Sequence, residues 1–330
     1  MVTIIDIAKA AGVSKSTVSR VLSGNGSCKK ETKEKVLKVA KELNYKPNRL
    51  ARAMVTKKSG IIGVIIYRKH MPIIAHPFYG PILDAIVTET KKAGYSILIL
   101  ADDEVTGEAS IELLEHQIDG AILLSRVPEQ LITIFQEQNI PFVLVNNTNM
   151  VKNSNYIVND DYLGAYDAAM HLLSKHYTKI AYISGPLEHR SYRLRWEGFQ
   201  AALSAKGYEI KHYHRAIGDS KMETGMEYAY KFMQLEERPD AIFASNDMMA
   251  IGAMQTIHFM GMKIPDDVAL MGFDDIEFAK LTFPALTTVR VDKKKMGGLA
   301  VSKLFALLNG EDFGMKKTIL PSEVIVRKST

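Results

Sequence analysis

From Gly60 onward, short runs of apolar and β-branched residues alternate with longer stretches that repeat apolar side chains every three or four positions. Strands are expected at Ile61–Ile66, Ile97–Leu100, Ala121–Leu124, Phe142–Val145, Ile180–Ile183, Ala241–Phe243, Val268–Gly272 and Thr288–Val291. Helices are expected at Pro81–Ala93, Ile111–Gln117, Tyr162–Leu173, Arg193–Ala205, Met248–Met260 and Lys295–Leu308. A strand that is apolar at every position has no face to give to water, so a run such as Ala121–Leu124 must be covered on both sides. The alternation therefore predicts an α/β body of parallel sheets flanked by helices. Ile118-Asp-Gly-Ala-Ile-Leu-Leu-Ser125 is echoed by Pro239-Asp-Ala-Ile-Phe-Ala-Ser245, which points to two similar lobes.

The first 58 residues have a different character. They hold fourteen Lys or Arg against four Asp or Glu, a net +10, whereas the remainder is −5 and the whole chain only +5. A small basic module on a mildly acidic body suits a phosphate-binding head, because Lys and Arg displace condensed counterions. The plain alternative is a solvated lysine-rich face. Thr3 can cap a first helix with Ile4, Ile7, Ala8 and Ala11 on one face, and Gly12 can end it in a left-handed turn. Ser14 can cap a second helix with Val13, Val18, Val21 and Leu22 inward. Lys15, Ser16, Thr17 and Arg20 then point outward, where they can meet a major groove. A third helix over Glu31–Leu43 would place Val36, Leu37, Val39, Ala40 and Leu43 against the first two.

At 330 residues the length suggests roughly two or three domains, and 47% hydrophobic residues is ample for their cores. No stretch reaches the about twenty apolar residues of a membrane span, and the N-terminus does not read as an export signal. A cytoplasmic, nucleoid-associated protein without membrane contact is expected. Cys28, the single cysteine, excludes an intramolecular disulfide and a metal site of several thiolates, and reads as an apolar filler. No cofactor and no metal site are expected.

Ala11-Gly-Val-Ser-Lys-Ser-Thr-Val-Ser-Arg-Val-Leu22, followed by Leu43-Asn-Tyr-Lys-Pro-Asn-Arg-Leu-Ala-Arg-Ala-Met54, resembles the lactose-repressor (LacI/GalR) family of bacterial transcriptional regulators. The likeness continues through Ile183-Ser-Gly-Pro186, Arg195, Gly198-Phe199, Ala244-Ser-Asn-Asp-Met-Met-Ala-Ile-Gly252, Gly272-Phe-Asp-Asp275 and Leu286-Thr-Thr-Val289, so it covers essentially the whole chain. It implies an all-α helix-turn-helix headpiece over 1–58 and a two-lobed, periplasmic-binding-protein-like regulatory domain over 59–330. One lobe is expected at 59–158 plus 289–319 and the other at 159–288 plus 320–330. The resemblance implies that Lys15, Ser16 and Arg20 read bases while Ser14, Thr17 and Ser23 hold phosphates. The two hydroxyls of Thr17 and Ser19 can instead serve packing and caps. It also implies a hinge helix at about 48–55 that forms when two subunits meet on DNA, with Ala51 and Met54 facing the minor groove. Met54 stands where relatives usually carry Leu, and Lys29 where many carry a capping Ser.

In doubly wound sheets, ligands bind beyond the carboxyl ends of strands, and two facing lobes make that crevice a cleft. Phe78, Arg195, Asn246-Asp247 and Asp274-Asp275 follow strands. Taken singly, the polar ones can be helix caps or surface ion pairs. Together, a guanidinium, an amide and a carboxylate suit vicinal hydroxyls, and Phe78 can cover the apolar face of a sugar ring. The resemblance implies effector contacts at Phe78, Arg195, Asn246 and Asp274. The segment from Tyr67 to Tyr79 is longer than usual in the family, and the turn at Gly218-Asp-Ser-Lys221 lacks a stacking aromatic, although Trp196 and Phe273 lie near in sequence. An acidic or phosphorylated sugar would need further cations, for which Arg68, Lys69, His189, Arg190 and Arg193 are candidates. His76 and His189 read as ordinary surface or capping residues.

These features predict a transcriptional repressor of a carbohydrate operon that binds a pseudo-palindromic double-stranded DNA operator as a homodimer or higher oligomer. A carbohydrate effector would control it allosterically. The alternative is a corepressor of the same family governed by a protein partner. Catalysis is not expected: Asp160-Asp161 and Asp274-Asp275 are paired carboxylates, but neighbours in a loop seldom aim at one atom. The chain also lacks a glycine-rich phosphate loop or nucleophile elbow.

Overall fold

The computed structural model describes residues 2–23, 28–45, 58–67, 74–101, 117–147, 154–311 and 317–330. The chain divides into two compact units, Met1–Ser59 and Gly60–Thr330.

The first unit is a three-helix head: α1 (Ile4–Ala11), α2 (Lys15–Ser23) and α3 (Lys30–Glu42). The Asp6 carboxylate accepts from both the amide and the hydroxyl of Thr3, at 2.8 Å each, which fixes the start of α1. Gly12 closes α1 at φ +61°, a conformation that strains any residue with a side chain. Ser14 Oγ accepts from the Thr17 amide at 3.1 Å and begins α2. Ile7, Ala8, Ala11, Val18, Val21, Val36 and Ala40 form the core, with Val13, Leu22, Val39 and Cys28 packed around it. Leu37 and Leu43, expected inside, are instead exposed by 45% and 36%. The buried stripe of α3 runs through Val36 and Ala40, one turn apart, which carries Leu37 off that face; Leu43 sits at the helix end. Lys29 precedes α3 without a side-chain cap. The expected hinge helix at 48–55, including Ala51 and Met54, lies outside the described residues.

The second unit holds two parallel sheets. The strands β1 (Ile61–Tyr67), β2 (Ser96–Ala101), β3 (Gly120–Ser125), β4 (Phe142–Val145), β5 (Asn155–Asn159) and β11 (Lys317–Leu320) form the first, in the order β11-β5-β4-β3-β1-β2. The second comprises β6 (Ile180–Ser184), β7 (Arg215–Ile217), β8 (Ala241–Ala244) and β9 (Ala269–Met271), ordered β7-β6-β8-β9. An antiparallel ribbon joins β10 (Thr288–Arg290) to β12 (Glu323–Ile325). The helices are α4 (Tyr79–Lys92), α5 (Glu129–Glu137), α6 (Asp161–Ser174), α7 (Arg190–Ala205), α8 (Met222–Met233), α9 (Asp247–Phe259), α10 (Glu277–Leu281) and α11 (Lys293–Leu308).

All eight expected strands are present within a residue or two of their bounds. The strands not anticipated, β5, β7, β11 and β12, are short, polar at their ends or three residues long, so they carry little periodic signal. Three helices, α5, α8 and α10, were also not anticipated, and the helix expected at Ile111–Gln117 falls almost wholly outside the described residues. The internal echo is structural. β3 and β8 occupy interior positions of their sheets, and the aspartate before each ties down the segment entering its neighbour. Asp119 accepts from the Gly60 amide at 3.0 Å, and Asp240 from the amides of Thr178 and Lys179 at 2.9 and 3.1 Å.

Helix α7 carries Arg195 and is held close to α6. A Cβ on Gly198 would lie 2.1 Å from the Tyr162 carbonyl oxygen, so only glycine permits this approach. No helix among the described residues is long and apolar enough to cross a membrane.

Candidate functional site

The sequence-predicted effector residues converge. Phe78, Arg195, Asn246 and Asp274 all line one cavity of about 610 Å³, together with Tyr79, Ser125, Asn146, Tyr192, Ser220 and Phe278, among others. The lining comes from segments that follow strands of both sheets, as the crevice rule for such folds requires.

Arg195 is its electrostatic centre. The side chain is 3% exposed, with Nε donating to Asp161 at 2.8 Å, Nη1 donating to the Ser245 carbonyl at 2.6 Å, and the same nitrogen 3.1 Å from Asp274. Its guanidinium lies 3.7 Å from the centre of the Phe273 ring. Burial alone would lower the Arg195 pKa, but Asp274 and Asp161 outweigh it and the net shift is upward. Nη2 has no partner among the described residues and is the donor left for an occupant. Asp161 does not itself line the cavity, and sequence reasoning missed it. Adjacent Asp160 caps α6 through the Leu163 amide at 3.0 Å, so the two neighbours point to different tasks.

Asn246 performs two jobs. Its Oδ1 accepts from the Met249 amide at 2.8 Å as the cap of α9, and its Nδ2 donates to Tyr192 Oη at 3.1 Å and to the Ser220 carbonyl at 2.9 Å. The capping alternative is realised, and the same side chain lines the cavity. Asp247, next to it, is fully buried. It accepts from the Thr288 hydroxyl at 2.5 Å and the Ile276 amide at 2.8 Å. Burial, with Asp274 nearby, pushes its carboxyl up to about 8 in spite of those bonds.

Asp274 and Asp275 both have left-handed backbone, at φ +115° and +49°, which costs roughly 1–3 kcal/mol each for residues with side chains. The surroundings hold them there. Buried Lys293 donates to the carbonyls of Asp274, Asp275 and Val291, the latter two at 3.0 and 3.2 Å. Asp275 pairs with Arg290 at 2.8 Å and with Arg327. Asp274 is thereby left to face Arg195, and burial lifts its carboxyl above the usual range while Arg195 and Lys293 oppose the shift. Burial likewise lowers the Lys293 pKa, against Asp274, Asp247 and Asp275.

On the other wall, Phe78 and Tyr79 meet edge to face at 5.0 Å. His76 Nδ1 accepts from their amides at 3.2 and 3.3 Å, the expected capping role, although His76 also lines the cavity. Asn146 donates to Tyr79 Oη at 3.2 Å. Of the extra cations considered, His189 lines the cavity, whereas Arg190 and Arg193 do not, and Arg193 lies 3.9 Å from Glu197; Arg68 and Lys69 lie outside the described residues. Trp196 is no stacking platform for a ligand: it packs on Tyr182 at 4.9 Å and under Arg215 at 4.0 Å, outside the lining. Tyr192 and Asn146 were missed because neither caps a helix nor carries charge, leaving no signal in the sequence.

In the head, Ser14, Lys15, Ser16 and Arg20 are exposed along α2 and Thr17 is half-buried. Ser14 Oγ lies 2.7 Å from Ser16 Oγ and 2.8 Å from Thr17 Oγ1, so the three hydroxyls form one cluster at the helix start. Ser23 is the last residue of α2.

Residues 3–48 match the profile of bacterial regulatory proteins of the lacI family, and residues 169–330 match that of periplasmic binding protein-like domains. The probable HTH-type transcriptional repressor ExuR of Bacillus subtilis is 33% identical over 100% of this chain and 98% of its own length. The chain belongs to the lacI family of bacterial regulatory proteins. A second lacI-family relative, the ribose operon repressor of Escherichia coli, is 32% identical over 92% of each chain, and catabolite control protein A of Priestia megaterium is 31% identical over 100% and 99%. Among solved structures, the lac repressor dimer bound to operator and the anti-inducer ONPF matches with a TM-score of 0.86 and 28% identity, covering 100% of this chain and 99% of that one. As a member of the lacI family the chain is a transcriptional regulator with a helix-turn-helix head and a two-lobed periplasmic-binding-protein-like body.

Proposed function

We propose that this regulator represses a carbohydrate-utilisation operon, binding a pseudo-palindromic operator as a homodimer and releasing or tightening it according to a carbohydrate in the 610 Å³ cavity. The observation that carries the reading is the meeting of Arg195, Asn246, Asp274 and Phe78 on that cavity. Donors, an acceptor and an aromatic face together suit a ring with vicinal hydroxyls. Relatives are named as repressors of sugar operons, among them the ribose operon repressor, and the lac repressor dimer is recorded on its operator with an anti-inducer. The reading assigns Ser14, Lys15, Ser16, Thr17, Arg20 and Ser23, with Ala51 and Met54, to DNA, and assigns no catalytic step to any residue. It divides the body into lobes at 59–158 plus 289–319 and 159–288 plus 320–330, and places the protein in the cytoplasm.

Ligand control requires that the carbohydrate bind one arrangement of the lobes more tightly than the other, since only differential affinity can move the equilibrium. The test is selection of duplexes from a random pool by the full-length protein. A palindromic consensus is expected, and Arg20→Ala should cost about 1–3 kcal/mol and relax preference at one position per half-site. A variant that selects the same consensus with unchanged affinity would remove Arg20 from the reading face.

A further inference from the structure

We propose that Tyr192 is a specificity-determining residue of the cleft, presenting the hydroxyl donor that meets the ligand there while Asn246 positions it. The inference rests on the carbohydrate reading above and names the side chain that does the reading on this part of the wall. Asn246 lines the cavity, but its amide is already committed. Oδ1 accepts from the Met249 amide at 2.8 Å, which fixes the orientation of the group. Nδ2 then gives one hydrogen to Tyr192 Oη at 3.1 Å and the other to the Ser220 carbonyl at 2.9 Å. An amide nitrogen carries two hydrogens, so neither is left for an occupant.

Tyr192, which also lines the cavity, takes over as donor. Its ring has a built seat. A Cβ on Gly185 would collide with that ring and lie 2.6 Å from Ser220 Oγ, so the glycine is the recess that admits both side chains. Gly185 is itself tied down, its amide donating to Ser245 Oγ at 3.1 Å. The His189 ring and the Arg195 guanidinium flank the Tyr192 ring, each 5.6 Å from its centre. Burial lifts the phenol above its ordinary pKa although Arg195 opposes the shift, so the hydroxyl keeps its proton at neutral pH. The Asn246 amide and the Ser220 hydroxyl both bond the phenol oxygen. With its lone pairs engaged, that oxygen has only its own hydrogen to offer, and the matching ligand atom is an oxygen that accepts.

The experiment is a calorimetric titration of the full-length protein with neutral hexoses and pentoses, their uronic acids and their terminal phosphates, followed by the monodeoxy analogues of the tightest binder. Tyr192→Phe keeps the ring in its seat and should weaken that binder by about threefold to tenfold, the worth of one neutral hydrogen bond. One monodeoxy analogue should bind the parent and the Tyr192→Phe protein equally, because it lacks the oxygen that the phenol meets. Asn246→Ser keeps a side-chain oxygen to cap α9 and removes the amide hydrogens. Alone it should weaken the binder by a similar factor, and in the Tyr192→Phe background by less than about twofold, because the two residues act through one contact. Unchanged affinity in Tyr192→Phe overturns Tyr192 as the donor, and full additivity of the two substitutions overturns the positioning role of Asn246; both leave the carbohydrate reading intact. Silence across the whole panel, with selected-duplex binding preserved, overturns the carbohydrate reading on which the assignment rests.

Discussion

Ser125 ends β3 and Ser245 directly follows β8, the equivalent strand of the other sheet, and the residues that come next differ in kind. After Ser125 come exposed Arg126 and fully buried Val127; after Ser245 come Asn246 and fully buried Asp247. The same inward position is filled by an aliphatic side chain on one wall and by a carboxylate on the other. The Val127 side closes a hydrophobic cluster with Leu131, Ile132 and Phe135. The Asp247 side gathers Thr288 and the Ile276 amide beside the strained turn at Asp274 and Asp275. One wall is built for packing and presents aromatic rings and amides, whereas the other spends stability to fix charges in place. Ligand discrimination should therefore reside on the charged wall.

The largest effect that would break this contrast is expected at Arg195. Replacement by Ala leaves Asp161 and Asp274 buried without their shared counter-ion, which should destabilise the body by about 3–5 kcal/mol in denaturant unfolding. A loss below about 1 kcal/mol would mean that water reaches the trio and that the wall is not a desolvated frame. Next in size is a pH effect at Asp247. Its folded-state value of about 8 lies far above that of an unfolded aspartate, so the native state binds the extra proton. Both states are protonated below about pH 4, stability then falls as pH climbs towards 8, and it levels off above, with a slope of at most about 1.4 kcal/mol per unit. Asp247→Asn cannot titrate, so its unfolding free energy should vary less between about pH 5 and 8 than that of the parent. Identical profiles for the two proteins would show that Asp247 is ionised throughout.

Much of this architecture is legible in the order of the amino acids. The strands of the body are continuous apolar runs, which parallel sheets demand, and the head announces itself through capping residues and charge. Phe78, Arg195, Asn246 and Asp274 could be chosen because motif order and the crevice rule both select residues just after strands. Asp161 and Lys293 could not, since their importance arises from partners 34 and 19 residues away in the chain. Sequence separation of that size leaves no local period. Leu37 shows the converse limit: an apolar residue in a helical pattern is not thereby buried, because a head this small covers only a narrow stripe of α3.

The smallest effect tests the uncharged wall. Tyr79 Oη accepts from Asn146 Nδ2 at 3.2 Å, and Asn146 Oδ1 in turn lies 3.5 Å from Ser191 Oγ on α7, so this pair links the aromatic side of the cleft to the helix that carries Arg195. Asn146 also sits at φ +50°, a conformation that asparagine tolerates better than most residues. Tyr79→Phe keeps the ring, its edge contact with Phe78 and its burial, and removes only the hydroxyl. The loss in stability should stay near 0.5–1.5 kcal/mol, roughly that of one neutral hydrogen bond. If the two walls divide their labour as described, ligand affinity should fall by no more than about tenfold, while the ranking of ligands by affinity stays unchanged. A Tyr79→Phe protein that ranks ligands in a different order would place selectivity on both walls and end the contrast.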